Sequence, residues 1–318
     1  MPKGLWSQSV GRFSKRALFL SASALSLAPL SDAVADPLEN TSFISVYGGY
    51  AFNDGDSNVD FDDDDATDPF LEGLGRLDPG RDGGMAGIVL GIPLSPAWDA
   101  RASLTGLFFE TDDADSDFAT SGGPGASTAQ SKFNLEYLDL ELGYRPGVLP
   151  GAVARLFGGL RAMRAENEID YGLTGPGKLG DFDRDIDLLG IGPRFGAEAG
   201  IPIGNSRASF SALGAGSVIF SETDHRYEFF NFDNAPPVEG VDRNSDFHVV
   251  YNLEARAALG YAVTDSVQVS VGYQAQQWWD LTTTLSDVES TDTEIGDTGR
   301  GDFLSHGPFA RITVKLGE

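Results

Sequence analysis

The stretch Tyr251-Asn252-Leu253-Glu254-Ala255-Arg256-Ala257-Ala258-Leu259-Gly260-Tyr261-Ala262-Val263 alternates with a period of two. Tyr251, Leu253, Ala255, Ala257, Leu259, Tyr261 and Val263 share one face, while Asn252, Glu254, Arg256, Ala258 and Gly260 share the other. Successive side chains of a strand point to opposite faces, so this is a strand with one apolar face and one face bearing a carboxylate and a guanidinium. The first face suits lipid and the second suits a wet or ion-paired interior. Tyr251 and Tyr261 lie ten residues apart on the apolar face. At about 3.3 Å per residue and a tilt near 40° they span roughly 25 Å, the height of the apolar band of a transmembrane barrel.

The same alternation recurs on both sides. Leu189, Ile191, Pro193, Phe195, Ala197, Ala199 and Ile201 oppose Gly190, Gly192, Arg194, Gly196, Glu198 and Gly200, and Ala310, Ile312, Val314 and Leu316 oppose Arg311, Thr313 and Lys315. Strands are expected near Ser42 to Phe52, Gly84 to Leu94, Trp98 to Thr111, Lys132 to Arg145, Ala152 to Tyr171, Arg184 to Ile203, Arg207 to Ser221, Phe247 to Val263, Val267 to Leu285 and Asp302 to Leu316. Links after the second, fourth, sixth and eighth are tight: Ser95-Pro96-Ala97, Pro146 to Gly151, Gly204-Asn205-Ser206 and Thr264-Asp265-Ser266. The other five links are long and rich in Asp, Gly and Ser. Short turns on one side and long loops on the other describe an all-β, closed antiparallel transmembrane β-barrel of about 10 strands, with both termini in the periplasm and five long extracellular loops. Trp98, Tyr144 and Tyr261 then mark the periplasmic aromatic girdle, and Phe108, Tyr251, Trp279 and Phe220 the outer one.

The amino terminus fits export to such a site. Lys3, Arg12, Lys15 and Arg16 precede an apolar run from Ala17 to Leu30 that closes on Ala33-Val34-Ala35, which predicts a signal peptide over residues 1–35 cut before Asp36, leaving a barrel domain over 36–318. The run is shorter than the roughly 20 residues a spanning helix needs. The formal charge of −26 becomes more negative when the signal is lost, and it argues against nucleic acid as a partner, since phosphate is met by basic faces. Cysteine is absent, so neither a disulfide framework nor a cysteine zinc site is available.

Several phrases carry a resemblance: Tyr137-Leu138-Asp139-Leu140-Glu141-Leu142-Gly143-Tyr144, Gly159-Leu160-Arg161, Gly192-Pro193-Arg194-Phe195-Gly196, Asn252-Leu253-Glu254-Ala255, Val271-Gly272-Tyr273, Trp278-Trp279 and His306-Gly307-Pro308-Phe309. Together they resemble the Legionella-type major outer membrane protein family, pore-forming barrels of the outer membrane, from the fourth expected strand to the carboxyl end. The chain departs from many outer-membrane barrels in closing on Lys315-Leu316-Gly317-Glu318 and not on an aromatic residue. The resemblance implies passive passage of ions and small solutes. Localisation in the bacterial outer membrane is expected, with outer-membrane lipid, lipopolysaccharide and the barrel-assembly machinery as partners. A homo-oligomer is an open alternative, and no cofactor is expected.

The candidate pore-lining residues are Arg101, Asp139, Glu141, Arg155, Arg161, Arg194, Glu198, Glu254, Arg256, Gln274 and Gln276, all on faces expected to point inward. Charged rings in a pore set ion preference, and the acidic loops favour cations at the mouth. The alternative is a plug of paired ions and amides, with Phe157, Met163 and Trp278 also pointing inward, which would leave a structural or surface-interaction barrel with a blocked lumen. The first long loop, Asn53 to Gly83, holds eleven acids against Arg76 and Arg81. Within it Asp54, Asp56 and Asn58 echo the start of a calcium loop, but Val59 stands where that motif needs Gly, so no metal site is assigned.

Ten-stranded omptin proteases carry Asp-Asp and Asp-His pairs at the outer rim, and Asp113, Asp115, Asp224 and His225 fall in comparable loops. Adjacent Asp224 and His225 should point oppositely along a strand, and the chain is expected not to be an enzyme. His248 and His306 read as structural. Gly175-Pro176-Gly177-Lys178-Leu179-Gly180 has the letters of a dinucleotide fingerprint but lies in a polar hairpin, without the strand and helix that motif requires. Pro193 and Pro308 are expected to sit at bulges.

Overall fold

The computed structural model describes residues 41–53, 59–60, 76–77, 82–111, 116–120, 123–146, 152–175, 178–231, 238–285 and 298–316. Thirteen strands follow in chain order among them: β1 (Ser42–Asn53), β2 (Val59–Asp60), β3 (Arg76–Leu77), β4 (Asp82–Pro93), β5 (Trp98–Thr111), β6 (Ser116–Thr120), β7 (Gly123–Tyr144), β8 (Val153–Gly175), β9 (Lys178–Pro202), β10 (Ala208–Asn231), β11 (Val238–Ala262), β12 (Val267–Leu285) and β13 (Thr298–Leu316). Ten of these form one antiparallel ring in the order β1-β4-β5-β7-β8-β9-β10-β11-β12-β13. The ring closes where β1 pairs with β13, from Ser42 opposite Leu316 to Asn53 opposite Ser305. Strands β2 and β3 pair only with each other, and β6 pairs with the start of β7. Closure matters in lipid, where an unpaired sheet edge would leave backbone groups without water.

The turns at one end are short because their side chains supply the missing hydrogen bonds. Ser95 Oγ accepts from Ala97 N and Trp98 N, and Thr264 Oγ1 accepts from Ser266 N and Val267 N. Gly204 turns with φ near +60°, a left-handed value that glycine adopts without penalty.

The outer wall carries the expected apolar band, with Leu104, Leu140, Leu160, Ile191, Phe195, Leu253, Leu259 and Ile312 all exposed. Trp98 stands directly opposite Tyr144 on the short-turn side, and Tyr251 opposite Trp279 on the other, so both aromatic girdles fall at the expected levels. Beyond the second girdle the outward residues of β8, β9 and β10 turn charged: Arg164, Glu166, Asp185, Asp187, Glu222, Asp224 and Arg226.

Two features depart from expectation. The long links after β8 and β10 are mostly ladder: pairing runs from β8 to β9 as far as Gly175 opposite Lys178, and from β10 to β11 as far as Asn231 opposite Val238. Above the lipid the outward residues become charged while the inward ones include buried Arg184, Thr223 and His225, so apolar alternation disappears while the backbone ladder persists. Pro193 and Pro308 also make no bulge. Pairing across each keeps one register, with gaps only opposite Val218 and Ile219 for the first and opposite Tyr50 and Ala51 for the second. Each residue of an antiparallel strand bonds one neighbour only, so the missing N–H costs a bond on one side and leaves the other ladder whole. The preceding glycine makes this possible: a Cβ on Gly192 would lie 1.8 Å from Val218 O, and one on Gly307 2.0 Å from Tyr50 O. The irregularity that does exist lies between Trp278 and Thr282 of β12, where the register to β13 shifts and Asp280 adopts φ 58°.

Candidate functional site

Parity alone brings the charged residues of β5, β7, β8, β9 and β11 onto the inner wall, where their side chains join into one mesh along the bore. Arg161, 0% exposed, grips Asp139 with two bonds of 2.6 and 2.7 Å, then reaches across to Asn252 at 2.7 Å and Glu254 at 3.2 Å. Arg155, also 0% exposed, holds Asp99 at 2.8 Å and Glu141 at 2.9 Å. Arg194 joins these groups, with Glu254 at 3.0 Å, Glu141 at 3.2 Å and Asp139 at 3.5 Å. Arg101 of β5 meets Glu198 of β9 at 2.7 Å, and Arg145 meets Asp99 at 3.0 Å. Bidentate and charge-assisted bonds of this kind fix geometry, and in a buried mesh the removal of one member is costly because the remainder is left charged.

Above this layer, toward the long hairpins, the bore holds an apolar cluster edged by buried Asn167, Arg184, Thr223 and Thr282. Leu107, Phe109, Phe133, Leu135, Leu188, Ile219, Trp278, Leu281 and Phe303 are all buried there. Phe133 and Phe303 approach to 4.6 Å between ring centroids and Phe109 and Phe303 to 5.5 Å. The irregularity in β12 turns Leu281 inward to join them. Between the layers the Arg161 guanidinium lies 4.1 Å from the Tyr137 ring centroid and 5.4 Å from that of Trp278. Gln276 Nε2 donates to Tyr137 Oη at 2.8 Å. Strands β12 and β7 have four strands between them whichever way the ring is followed, so this bond crosses the full bore.

All eleven residues expected to line the interior do point inward. Arg155, Arg161, Arg194, Asp139, Glu198, Glu254, Gln274 and Gln276 are buried, and Arg101, Glu141 and Arg256 are half-buried. Gln274 donates to Met85 Sδ on β4 at 2.8 Å. Phe157, Met163 and Trp278 are buried inward as well. Sequence reasoning left out Asp99, Tyr137, Arg145 and Arg311. Asp99 shares the parity of Arg101 but sits beside a turn, and Arg311 lies on the polar face of its strand, so alternation could have found both.

At the outer rim Asp224 faces out and His225 faces in, as their adjacency requires. Burial first, and then Arg184, push the pKa of the His225 imidazole down to about 4. His248 Nε2 bonds Asp280 O at 3.1 Å, and His306 Nδ1 bonds the Tyr273 hydroxyl. Asp113, Asp115, Asp54, Asp56 and Asn58 lie outside the described residues. No group of three or more His, Asp or Glu able to hold a metal occurs among the described residues.

A closed antiparallel ring, an apolar outer band between aromatic girdles and a filled interior define a transmembrane β-barrel of the outer membrane. The chain belongs to the family described as Legionella pneumophila major outer membrane protein precursor, whose profile matches residues 86–316. No curated protein matches. Among solved structures, the chain is similar to the outer membrane protease OmpT from Escherichia coli, at 11% identity over 87% of this chain and 97% of that one with a TM-score of 0.44. It is similar to the translocator domain of the autotransporter NalP from Neisseria meningitidis, at 11% identity over 88% and 90% with a TM-score of 0.44. A major outer membrane protein from Thermus thermophilus matches at 15% identity over 85% and 99% with a TM-score of 0.29. The expectation that the chain is not an enzyme is corrected here: a protease stands among these matches. At such identity and score the match carries no chemistry, so the chain is assigned neither an enzymatic role nor the lack of one.

Proposed function

We propose that this is a surface barrel with a sealed bore, whose work is done outside the cell by the hairpins that stand above the lipid band. The observation that carries this reading is the bond between Gln276 and Tyr137 across opposite strands, flanked by the ion mesh below and the aromatic layer above. The β10–β11 hairpin continues past the outer girdle from Ser221 to Asn231, up to roughly 30 Å of strand. Its surroundings are acidic: Glu166, Asp187 and Asp224 stand directly opposite one another on adjacent strands. Arg164 pairs with Glu166 and Asp187, and the one charge it carries against three acids leaves this patch net negative, which suits contact with lipopolysaccharide through shared divalent cations. Export by the signal over residues 1–35, insertion by the barrel-assembly machinery and pairing of copies into a homo-oligomer belong to this reading as proposals.

A second reading keeps the passive, cation-preferring pore that the family resemblance implies. Acid at the outer mouth favours it, although the bore itself is rich in arginine. Liposomes carrying the refolded protein decide between the two. The sealed barrel predicts no swelling in isotonic small sugars and loss of lipopolysaccharide binding when the β10–β11 hairpin is cut back to the girdle. Swelling at a rate that rises with protein content would overturn it in favour of the pore.

A further inference from the structure

Within the mesh five arginines, Arg101, Arg145, Arg155, Arg161 and Arg194, share five carboxylates, Asp99, Asp139, Glu141, Glu198 and Glu254. Two more guanidiniums point into the bore beside it without closing a salt bridge to any of the five acids, Arg256 of β11 and Arg311 of β13. The acids nearest them are already engaged: Glu198, which faces both, is held by Arg101 at 2.7 Å, and Glu254, which faces Arg256, by Arg194 at 3.0 Å. Arg311 Nε and Nη2 are buried with no hydrogen-bond partner. Both side chains are held by rings: Arg311 Cζ lies 5.5 Å from the centroids of Tyr47 and of Phe309, and Arg256 Cζ lies 6.0 Å from that of Phe309. Contact with a ring face orients a guanidinium without consuming its N–H donors. The outcome is two forks packed on one common ring, with two buried donors of Arg311 unspent.

A buried polar donor without a partner is uncommon and asks for an occupant, and an unpaired charge in an interior costs far more than one in water. The planar fork of arginine matches the paired oxygens of a phosphate or a carboxylate. From these we infer that Arg311 and Arg256 form a binding site for one small oxyanion of the inorganic phosphate class. The anion enters from the short-turn end, where Arg311 stands one residue from the level of Tyr261 through the pairing of Tyr261 with Val269 and Val269 with Ile312. It balances the two spare charges and completes the mesh. The site rests on the inward faces of β11 and β13, not on whether the bore conducts, so it stands or falls apart from the surface-barrel reading.

Calorimetric titration of inorganic phosphate into the refolded full chain in detergent, at constant ionic strength in chloride, tests it. One saturable site per barrel is expected, weakened at least tenfold in Arg311→Gln and in Arg256→Gln and unchanged in Arg226→Gln, which lies on the exposed outer wall. Should Arg311→Gln not refold, Arg311→Lys keeps the charge and loses the fork, and a severalfold weakening is then expected. Absence of a saturable heat in the unsubstituted protein, or binding in the Arg311 and Arg256 variants equal to it, overturns the site.

Discussion

Arg161→Ala separates a mesh that holds the bore together from one that merely decorates it. Arg161 is wholly buried and serves Asp139, Asn252 and Glu254 at once. Removing one partner of a buried ion pair costs about 3–5 kcal/mol, because a charge is left behind without its counterpart. Here Arg194 still reaches Glu254 at 3.0 Å and Asp139 at 3.5 Å, so that part falls near the lower limit, about 3 kcal/mol. The lost stacks on Tyr137 and Trp278 add about 1 kcal/mol, for a total of about 4 kcal/mol. Arg164 lies three residues along the same strand on the opposite face, 56% exposed, paired with Glu166 at 2.5 Å and Asp187 at 3.2 Å. Its replacement by Ala should change stability by at most about 1 kcal/mol, as for exposed pairs generally. Urea unfolding of the refolded proteins in detergent, followed by tryptophan emission, measures both, with Trp278 reporting from beside the substitution. A loss below about 1 kcal/mol for Arg161→Ala, the level of an exposed pair, or equal losses for the two variants, refutes the reasoning.

Gly192→Ala places a methyl group against Val218 O and should destabilise by about 1–3 kcal/mol, whereas Gly214→Ala meets nothing within 4 Å and should leave the urea midpoint unchanged. The pKa of His225 is held near 4 in the folded chain against 6.5 in the unfolded one, so the unfolded state takes up its proton first as the medium is acidified. Stability should therefore be lost as pH falls from about 6.5 to about 4, and His225→Gln should remove that part of the pH dependence of the urea midpoint. The Arg300–Asp246 pair, 2.6 Å long, joins two half-exposed side chains at the rim, so Arg300→Ala should change stability by less than about 1 kcal/mol in the same urea experiment.

How far the sequence discloses such a molecule depends on what alternation can encode. Strands β9, β11 and β13 were legible because lipid on one side and charge on the other impose opposite chemistry on neighbouring residues. On β4, expected as a strand from Gly84 to Leu94, glycine hides which face points inward: Gly87 leaves room for the Tyr47 ring, just as Gly143 does for Arg155 and Gly196 for Phe157. The upper part of β10 was invisible for a different reason, since polar residues occupy both faces: Glu222, Asp224 and Arg226 stand outside while Ser221, Thr223 and His225 are buried inside. Leu281 escaped because the irregularity at Asp280 resets its parity. The inward set of eleven residues followed from parity, but their mutual distances did not. Whether Tyr137 and Gln276 meet across the bore depends on strand number, stagger and side-chain length together, and no single segment carries that information.

Single-channel recording on the purified, refolded protein in a planar bilayer puts the sealed bore to its most direct test. Contacts across opposite strands predict a quiet membrane at moderate voltage, with no discrete current steps at any protein concentration that inserts. Reproducible unitary steps, carrying potassium in preference to chloride, would contradict it and restore the open cation-preferring pore.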